Sequence, residues 1–343
     1  MRIYNIAQRS RLFSIYCELN YKNMIPLRKE DFVAARAVAE KHIHRTPILE
    51  SETLSEMTGA KVLLKAELFQ KTGSYKIRGP LNVLAHMSAD DKAKGIICSS
   101  AGNHAQGVAY AARVHGIPAT VVMSMNAPQA KVNATRGYGA TVVQHGEIWD
   151  DAYAKSLEIQ AERGLTYIHP FDNPRLVAGQ GTVGLEIIED VPDVDYVIVP
   201  IGGGGLISGV AMALKAVKPS VKVIGVESTG APAMKRSISE GRRITLPSVT
   251  SVVDGLVVRQ VGEYNLAVAK QFVDDIVLVD DTEIFDTIIW LMERCKLVTE
   301  GAAAATVCAL MTGRIAIPPG KKVVCVLSGG NLKLEQLRGL KWN

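Results

Sequence analysis

Paired cysteines are missing from this sequence: five cysteines are spread over 343 residues, and no two of them form a CxxC pair. This spacing excludes the usual cysteine cage for zinc and fits a reducing compartment, so we expect a cytoplasmic protein. Long basic blocks are also missing, although the formal net charge is +5. Without basic residues interleaved with aromatic ones, nucleic acid is not an expected partner.

Uncharged runs of membrane length are almost absent. The exception, residues 196–214, reads YVIVPIGGGGLISGVAMAL. Its length could span a bilayer, but four consecutive glycines and a proline disfavour a continuous helix. The pattern predicts a strand, a loop and a helix, and no membrane span.

The N-terminal segment is basic as far as Glu18, which is one feature of a targeting peptide, but other features are missing. It has no clean apolar core and no cleavage signature. Met24 directly precedes IPLRKEDFVAARAVAEKH, a plausible helix start. We therefore expect that translation can begin at Met24 and that residues 1–23 are dispensable.

The sequence does contain short β-rich runs that alternate with helical patterns. The early runs are KVLLKAELF, GIICSS and ATVVMS, and after residue 170 the pattern resumes with YVIVPI, KVIGVE, DIVLVD and KKVVCVLS. Several runs are continuously apolar, as in strands buried on both faces. The sequence predicts an α/β protein with mostly parallel sheets covered by helices.

Small-residue turns follow three of these runs: SSAGNH, GGGG and SGGN. Ligands of open α/β sheets bind beyond the carboxyl ends of strands, so the turns predict one shared pocket. The loop of Gly202, Gly203, Gly204 and Gly205 can wrap a phosphate with backbone N–H groups at a helix start. It matches neither GxGxxG nor the nucleotide P-loop.

A single lysine, Lys76, lies between an aromatic residue and an arginine in GSYKIRG, residues 73–79. A lone lysine in a helical pattern is usually a solvated surface residue. Beside a phosphate-binding loop, however, a lysine amine can bond to the aldehyde of pyridoxal phosphate. This combination makes Lys76 a candidate cofactor-binding residue.

A series of motifs resembles those of one enzyme family. They are FQKTGSYKIRG, SSAGNHAQGVAYAA, HPFDNPRLVAGQGTVGLEI, VPIGGGGLISG, SVVDGL, VTEGAAAA and VLSGGN. In this order they resemble the fold type II pyridoxal-phosphate enzymes of the threonine dehydratase and serine racemase group. The resemblance implies a fold similar to the tryptophan synthase β chain, with two open, twisted, mostly parallel sheets that carry helices on both faces.

The resemblance also implies two domains with the cofactor in the cleft between them. Residues 1–77 and 169–343 would form the large cofactor-binding domain, and residues 78–168 a smaller domain that closes over the substrate. A homodimer or homotetramer is implied as well. Because the chain ends soon after SGGN, we expect no C-terminal regulatory domain and no feedback inhibition by isoleucine.

The resemblance assigns roles to the residues around the cofactor. Lys76 would be the Schiff-base lysine, and Tyr75 would pack on the cofactor ring while the glycine loop holds the phosphate. Asn103 would bond the pyridine hydroxyl oxygen. Gly255 would line the ring, and Glu300 would lie at the cofactor edge.

Ser328 would meet the pyridine nitrogen of the cofactor. Unlike a carboxylate, a hydroxyl does not keep this nitrogen protonated, so the cofactor is a weaker electron sink. This favours rapid loss of a β-leaving group over a long-lived carbanion.

The substrate loop departs from the racemase pattern. Ser100, Ala101, Gly102 and His104 belong to a segment that resembles the loop gripping the substrate carboxylate, and Phe171 would shape the side-chain pocket. Serine racemases carry a second serine where this chain has Ala101, and mammalian-type racemases carry asparagine where it has Phe171. An alanine cannot transfer a proton, so a dehydratase with one base is favoured. For His104, a structural role at the helix start is the equal alternative.

The resemblance therefore implies a threonine/serine dehydratase acting on a small β-hydroxy amino acid. Lys76 would remove the α-proton, and the β-hydroxyl would be protonated and leave as water, for which the cofactor phosphate is a candidate acid. The aminoacrylate that is released would hydrolyse to a keto acid and ammonia, which gives 2-oxobutanoate from L-threonine and pyruvate from L-serine. The open alternatives are a serine racemase, a hydroxyaspartate dehydratase and a non-catalytic cofactor-binding protein. One methyl separates threonine from serine, which a hydrophobic pocket discriminates by only about 10- to 200-fold.

Glu227 is the candidate metal ligand. Relatives with a divalent-cation site use an acid at the strand end that matches VES, but the expected aspartate falls at or near Ala233. A single carboxylate binds Mg²⁺ or Ca²⁺ poorly without further oxygen ligands. We expect at most a weak cation site.

Overall fold

The structure, a computed structural model, describes residues 26–333 and residue 335, so the prediction about residues 1–23 lies outside the described residues. The strands are β1 (Ile48–Glu50), β2 (Lys61–Ala66), β3 (Ile96–Ser99), β4 (Ala119–Met123), β5 (Thr141–Gln144), β6 (Thr166–Tyr167), β7 (Tyr196–Pro200), β8 (Lys222–Ser228), β9 (Asp275–Val279) and β10 (Lys322–Leu327). The α-helices span Lys29–Ala39, Glu52–Thr58, Arg78–Ala85, Ala89–Lys94, Asn103–His115, Gln129–Gly137, Trp149–Arg163, Pro174–Asp190, Gly205–Val217, Ala233–Ser239, Glu263–Phe272, Asp281–Trp290 and Gly301–Met311. Short 3-10 turns span Glu67–Phe69 and Tyr75–Ile77.

These strands form two sheets. The larger sheet has the order β1-β2-β10-β7-β8-β9, in which β1 pairs antiparallel with β2 and the other neighbours pair in parallel. The smaller sheet has the order β5-β4-β3-β6 and parallel pairing. The predicted class, α/β with mostly parallel sheets, is confirmed, while the domain boundaries at residues 78 and 168 stay predictions.

The centre of the larger sheet is buried on both faces. Val197 and Val199 of β7 pack with the helix Gly205–Val217 on one face. Ile198 points to the other face and packs with the helix Gly301–Met311. Because successive side chains of a strand alternate between the faces, both sets must be apolar. This explains the continuous apolar run at β7.

The uncharged segment 196–214 folds as predicted. It consists of β7, the glycine loop and most of the helix Gly205–Val217. None of the helices in the described part of the chain combines the length and the hydrophobicity that a membrane crossing requires.

A local signal fixes the start of the helix Pro174–Asp190, which follows the HPFD motif. The side-chain oxygen of Asn173 accepts a hydrogen bond from the N–H of Leu176 at 3.1 Å. Pro174 occupies the first helical position, where no backbone N–H is needed. The HPFD loop, residues 169–172, therefore runs directly into a capped helix, and this cap restricts the backbone of the loop.

A cluster of buried charges joins β2, the helix Arg78–Ala85 and the helix Pro174–Asp190. Arg78 is fully buried and donates hydrogen bonds to Glu67 at 2.8 Å and to Glu186 at 2.6 and 2.9 Å. Lys65 donates to Glu186 at 2.6 Å. Two cations thus neutralise two carboxylates. Since Arg78 lies two residues after Lys76, the cluster anchors the segment that carries this lysine.

We expect the substitution Arg78→Met to lower the free energy of unfolding by about 3–5 kcal/mol. The buried carboxylates of Glu67 and Glu186 would lose the guanidinium that pairs with them, and no water would replace it. Urea unfolding followed by circular dichroism measures this loss. The control is Lys155→Met, which breaks a surface pair between Lys155 and Glu158 and should leave the free energy of unfolding nearly unchanged, because solvent screens this pair. Equal losses in the two variants would contradict a stabilising role of the cluster.

Candidate active site

Lys76 lies in the 3-10 turn Tyr75–Ile77, at the point where the helix Arg78–Ala85 begins. A Cβ atom on Gly107 would come within 2.6 Å of the Lys76 carbonyl oxygen, so the helix Asn103–His115 packs directly against this turn. The Lys76 amine donates a hydrogen bond to the Pro170 carbonyl oxygen at 2.9 Å. The helix Asn103–His115 therefore fixes the backbone of Lys76, and the HPFD loop fixes its amine.

The Lys76 amine loses its proton more easily than an ordinary lysine. Burial lowers its pKa to about 8, and the nearby Glu300 opposes this shift. A larger share of the amine is therefore neutral and nucleophilic near neutral pH. The amine also lies 5.3 Å from the centroid of the Tyr75 ring. Burial raises the pKa of the Tyr75 phenol and keeps it neutral.

The glycine loop touches two of the residues that the sequence connects with it. A Cβ atom on Gly202 would lie 2.2 Å from the Gly255 carbonyl oxygen, and one on Gly203 would lie 2.2 Å from the Phe171 ring. A side chain at Gly202 or Gly203 would push these segments apart. The loop ends at the helix Gly205–Val217, whose first N–H groups have no acceptor within the helix and favour an anion.

Two side chains that the sequence analysis missed fix the HPFD loop, one to the glycine loop and one to the helix Glu263–Phe272. The Asn265 side-chain N–H₂ group donates to the Gly203 carbonyl at 2.8 Å and to the Phe171 carbonyl at 3.1 Å. Asp172 accepts hydrogen bonds from the first two N–H groups of the helix Glu263–Phe272, at 3.0 and 3.2 Å. Asn265 stands in an ordinary helical stretch, so nothing in the sequence indicated this role.

Ser328 follows β10 and is buried beside the Lys76 turn. Its carbonyl accepts a hydrogen bond from the Tyr75 N–H at 3.0 Å. The next residue, Gly329, accepts one from the Glu300 N–H at 3.1 Å. The predicted site residues Tyr75, Glu300 and Ser328 thus meet at the end of one strand.

Asn103 joins the same group from the smaller sheet. Its side-chain N–H₂ group donates to both carboxylate oxygens of Glu300 at 2.8 and 2.9 Å, and its oxygen accepts from Asn331 at 2.8 Å. Burial raises the pKa of Glu300 to about 7, while the hydrogen bond from Asn103 opposes this shift. Asn331, which the sequence analysis did not select, fixes the orientation of the Asn103 amide.

The loop before Asn103 has a defined conformation. The Ser100 hydroxyl oxygen accepts a hydrogen bond from the Gly102 N–H at 3.2 Å. Ala101 is partly buried and packs against the apolar core around the smaller sheet. The loop therefore carries a methyl group and no hydroxyl at position 101.

His104 is buried and donates from Nε2 to the Ile168 carbonyl at 3.0 Å. Burial, with a smaller contribution from the Lys76 charge, lowers its pKa to about 3. The ring is thus neutral at physiological pH and cannot attract a carboxylate by charge. The hydrogen bond to Ile168 supports a structural role for His104 at the helix start. A contact between His104 and the substrate stays a prediction.

His169, another residue that the sequence analysis did not select, organises the HPFD loop. Its Nδ1 accepts hydrogen bonds from the N–H groups of Phe171 at 3.3 Å and Asp172 at 2.8 Å. Burial and the Lys76 charge lower its pKa to about 4. The neutral ring stands perpendicular to the Phe171 ring at 4.7 Å, so it supports that side chain.

The carboxylate of Glu227, the predicted metal ligand, contacts backbone N–H groups. Its oxygens accept hydrogen bonds from the N–H groups of Met234 at 2.7 Å and Lys235 at 2.9 Å, at the start of the helix Ala233–Ser239. Burial raises its pKa to about 7. Within residues 26–333 and 335, no group of three or more histidine, cysteine, aspartate or glutamate side chains could hold a metal ion. A metal at Glu227 stays a prediction.

These groups fit pyridoxal phosphate. A lysine amine of lowered pKa faces the HPFD loop, and a loop with no room for side chains at Gly202 and Gly203 leads into a helix start that favours a phosphate. A buried hydroxyl residue, Ser328, follows the neighbouring strand. Lysine, anion cradle and ring partner are the three elements that this cofactor requires.

Comparison with known proteins gives the same cofactor. The family model Pyridoxal-phosphate dependent enzyme matches residues 39–329. The chain is 46% identical over 308 residues to the L-threonine ammonia-lyase of Thermotoga maritima, covering 90% of this chain and 76% of that protein. It is 42% identical over 314 residues to the catabolic L-threonine dehydratase of Escherichia coli, covering 91% and 95% respectively.

A solved structure shares the fold. The structure of maize serine racemase superposes with a TM-score of 0.87 at 36% identity, covering 92% of this chain and 96% of that one. Fold, site composition and sequence similarity agree: the chain belongs to the family of pyridoxal-phosphate dependent enzymes.

Proposed function

We propose that this protein is a threonine ammonia-lyase, which converts L-threonine to 2-oxobutanoate and ammonia and also converts L-serine to pyruvate. The observation that carries the proposal is the asymmetry of the site. Lys76 supplies one base of lowered pKa, whereas Ala101 supplies no second proton-transfer group. The names of the relatives from Thermotoga maritima and Escherichia coli support L-threonine as the substrate.

The Lys76 amine takes the α-proton of the substrate. When bound, pyridoxal phosphate supplies an electron sink for the charge that this proton leaves behind. A base works best with a pKa near the working pH, and burial brings that of Lys76 to about 8. The Pro170 carbonyl, 2.9 Å from the amine, holds Nζ in one orientation.

Asn103 can bind the cofactor without giving up Glu300. The side-chain N–H₂ group carries two hydrogens, so one could remain on Glu300 while the other would be available to the pyridine hydroxyl oxygen. Tyr75 and Gly255 would line the cofactor ring, and the Ser328 hydroxyl would be the partner of the pyridine nitrogen. A hydroxyl at this place would not hold the nitrogen protonated, so the cofactor would supply a weaker electron sink, which suits elimination.

The substrate is held by two loops. The segment from Ser100 to His104 binds the carboxylate with backbone N–H groups at a helix start. Phe171 forms the wall of the side-chain pocket and rests on the glycine loop. We propose that residues 78–168 move as the smaller domain and bring the carboxylate towards Lys76. A cytoplasmic location and a homodimer or homotetramer complete the proposal.

Serine racemase is the second candidate function. The TM-score of 0.87 with maize serine racemase favours it. Ala101 disfavours it, because inversion of the α-carbon needs a proton donor on the face opposite Lys76.

The substrate assay tests the proposal directly. Cofactor-loaded protein is incubated with L-threonine, L-serine, D-serine and the 3-hydroxyaspartates, and keto acid, ammonia and the chirality of the remaining amino acid are measured. We expect 2-oxobutanoate from L-threonine, reduced by at least about 10²-fold in Lys76→Ala because the base is lost. Lys71→Ala, which changes an exposed lysine nearby, is the matched control. Serine inversion without keto acid would instead identify a racemase, and no turnover despite bound cofactor would identify a binding protein.

The lowered pKa of Lys76 predicts its reactivity in the cofactor-free protein. We expect acetic anhydride to label Lys76 with a midpoint near pH 8, because burial favours the neutral amine. Ordinary exposed lysines titrate near pH 10.4. Peptide mass spectrometry over a pH series gives both midpoints in one sample. A Lys76 midpoint equal to that of the exposed lysines would remove the physical basis for its role as base.

Ala101→Ser should add a weak racemase activity. A positioned proton donor is worth about 10²–10⁴-fold, so we expect even an imperfectly placed hydroxyl to raise D-serine formation from L-serine by at least about tenfold. Chiral chromatography measures the product. Ala101→Gly changes the same position without adding a hydroxyl and should leave D-serine formation unchanged. If both variants behave alike, residue 101 does not decide between elimination and inversion.

A further inference from the structure

Gln180 is a fully buried side chain that has no hydrogen-bond partner in the described part of the chain. It lies on the helix Pro174–Asp190, and neither its side-chain oxygen nor its side-chain nitrogen has a partner among the described residues. A buried amide that lacks partners costs free energy, because it gives up its hydrogen bonds to water. A ligand with polar atoms next to this amide would offset that cost.

The amide is directed at the end of the glycine loop. A Cβ atom on Gly205 would lie 2.6 Å from the Gln180 oxygen Oε1. Gly205 is the first residue of the 13-residue helix Gly205–Val217, where unpaired N–H groups favour an anion. The Gln180 amide therefore lies beside the proposed phosphate cradle.

The helix backbone around Gln180 is fixed on both sides. A Cβ atom on Gly179 would lie 2.4 Å from the Arg78 carbonyl oxygen, and one on Gly181 would lie 2.8 Å from the Gly209 carbonyl oxygen. These close contacts leave the helix no room to turn or shift. The side chain of Gln180 is therefore aimed at the loop by the packing of its neighbours.

We propose that Gln180 binds the cofactor phosphate. Neither end of its amide has a partner among the described residues, so a half-turn of the amide brings Nε2 to the place beside Gly205 where Oε1 lies, and Nε2 then donates a hydrogen bond to a phosphate oxygen. A neutral amide adds a donor to the backbone N–H groups of the loop. Its oxygen can accept from a protonated phosphate oxygen or from a water held there. The proposal rests on the cofactor that the family uses and is independent of the amino acid that the enzyme converts.

The test compares two ligands. Gln180→Met keeps the length of the side chain and removes its polar atoms. Cofactor-free protein is titrated with pyridoxal phosphate and with pyridoxal, which lacks the phosphate. We expect Gln180→Met to weaken pyridoxal phosphate binding by about tenfold or more, as for a hydrogen bond to a charged group, and to leave pyridoxal binding unchanged. The ³¹P resonance of the bound cofactor should shift as well.

Asn82→Leu is the control for the loss of a buried amide elsewhere. Asn82 is buried, donates to the Arg175 carbonyl at 2.7 Å and has an unpaired side-chain oxygen. Its substitution should leave the ratio of the two affinities unchanged. If Gln180→Met does not fold, Gln180→Glu keeps the shape and places a carboxylate beside the phosphate, so the same selective loss is expected to be larger.

Two results would overturn the proposal. One is unchanged affinity for both ligands with an unchanged ³¹P resonance, which would make Gln180 a purely structural residue. The other is equal weakening of both ligands, which would mean that the substitution acts through the fold and not through the phosphate. Because no turnover is measured, a failure of the proposed lyase activity would leave this test unaffected.

Discussion

The compensation of charge around Arg78 is the constraint on which the site depends. Two carboxylates and two cations are buried together, and buried charges are tolerated only when each meets its partners in good geometry. The helix with Glu186 and the strand with Lys65 must therefore approach the Arg78 segment in one arrangement. Lys76 lies two residues before Arg78, and Gln180 lies six residues before Glu186. The proposed base and the proposed phosphate ligand thus depend on the same cluster.

Close backbone approach is the second constraint. The helix that begins at Asn103 touches the Lys76 carbonyl at Gly107, and Gly202 touches the backbone at Gly255. In each case a methyl group would separate the segments. These contacts set distances between main-chain atoms, which do not depend on side-chain rotamers. The glycine loop is thus arranged before the cofactor arrives, so cofactor binding requires little ordering of this loop.

The sequence predicted the elements better than the contacts between them. Strand, loop and helix at residues 196–214 could be read from apolar periodicity and glycine content, because both are local properties. The hydrogen-bond partners of Asn103 could not be read from the sequence, since Glu300 lies 197 residues away in the chain. Asn265 and Gln180 were missed because their helices look ordinary and their roles come from tertiary packing. For Glu227, the sequence indicated an acid but not the backbone N–H groups that occupy its oxygens.

Phe171 serves two parts of the site with one ring. It forms the proposed wall of the substrate pocket, and the same ring covers Gly203 of the glycine loop. A mutation that enlarges the pocket at this position also uncovers the loop. Substrate range and cofactor retention are therefore expected to be coupled. A smaller residue at position 171, which would make room for a bulkier substrate, would also remove the ring that covers Gly203. New specificities are expected to arise from residues that do not touch the glycine loop.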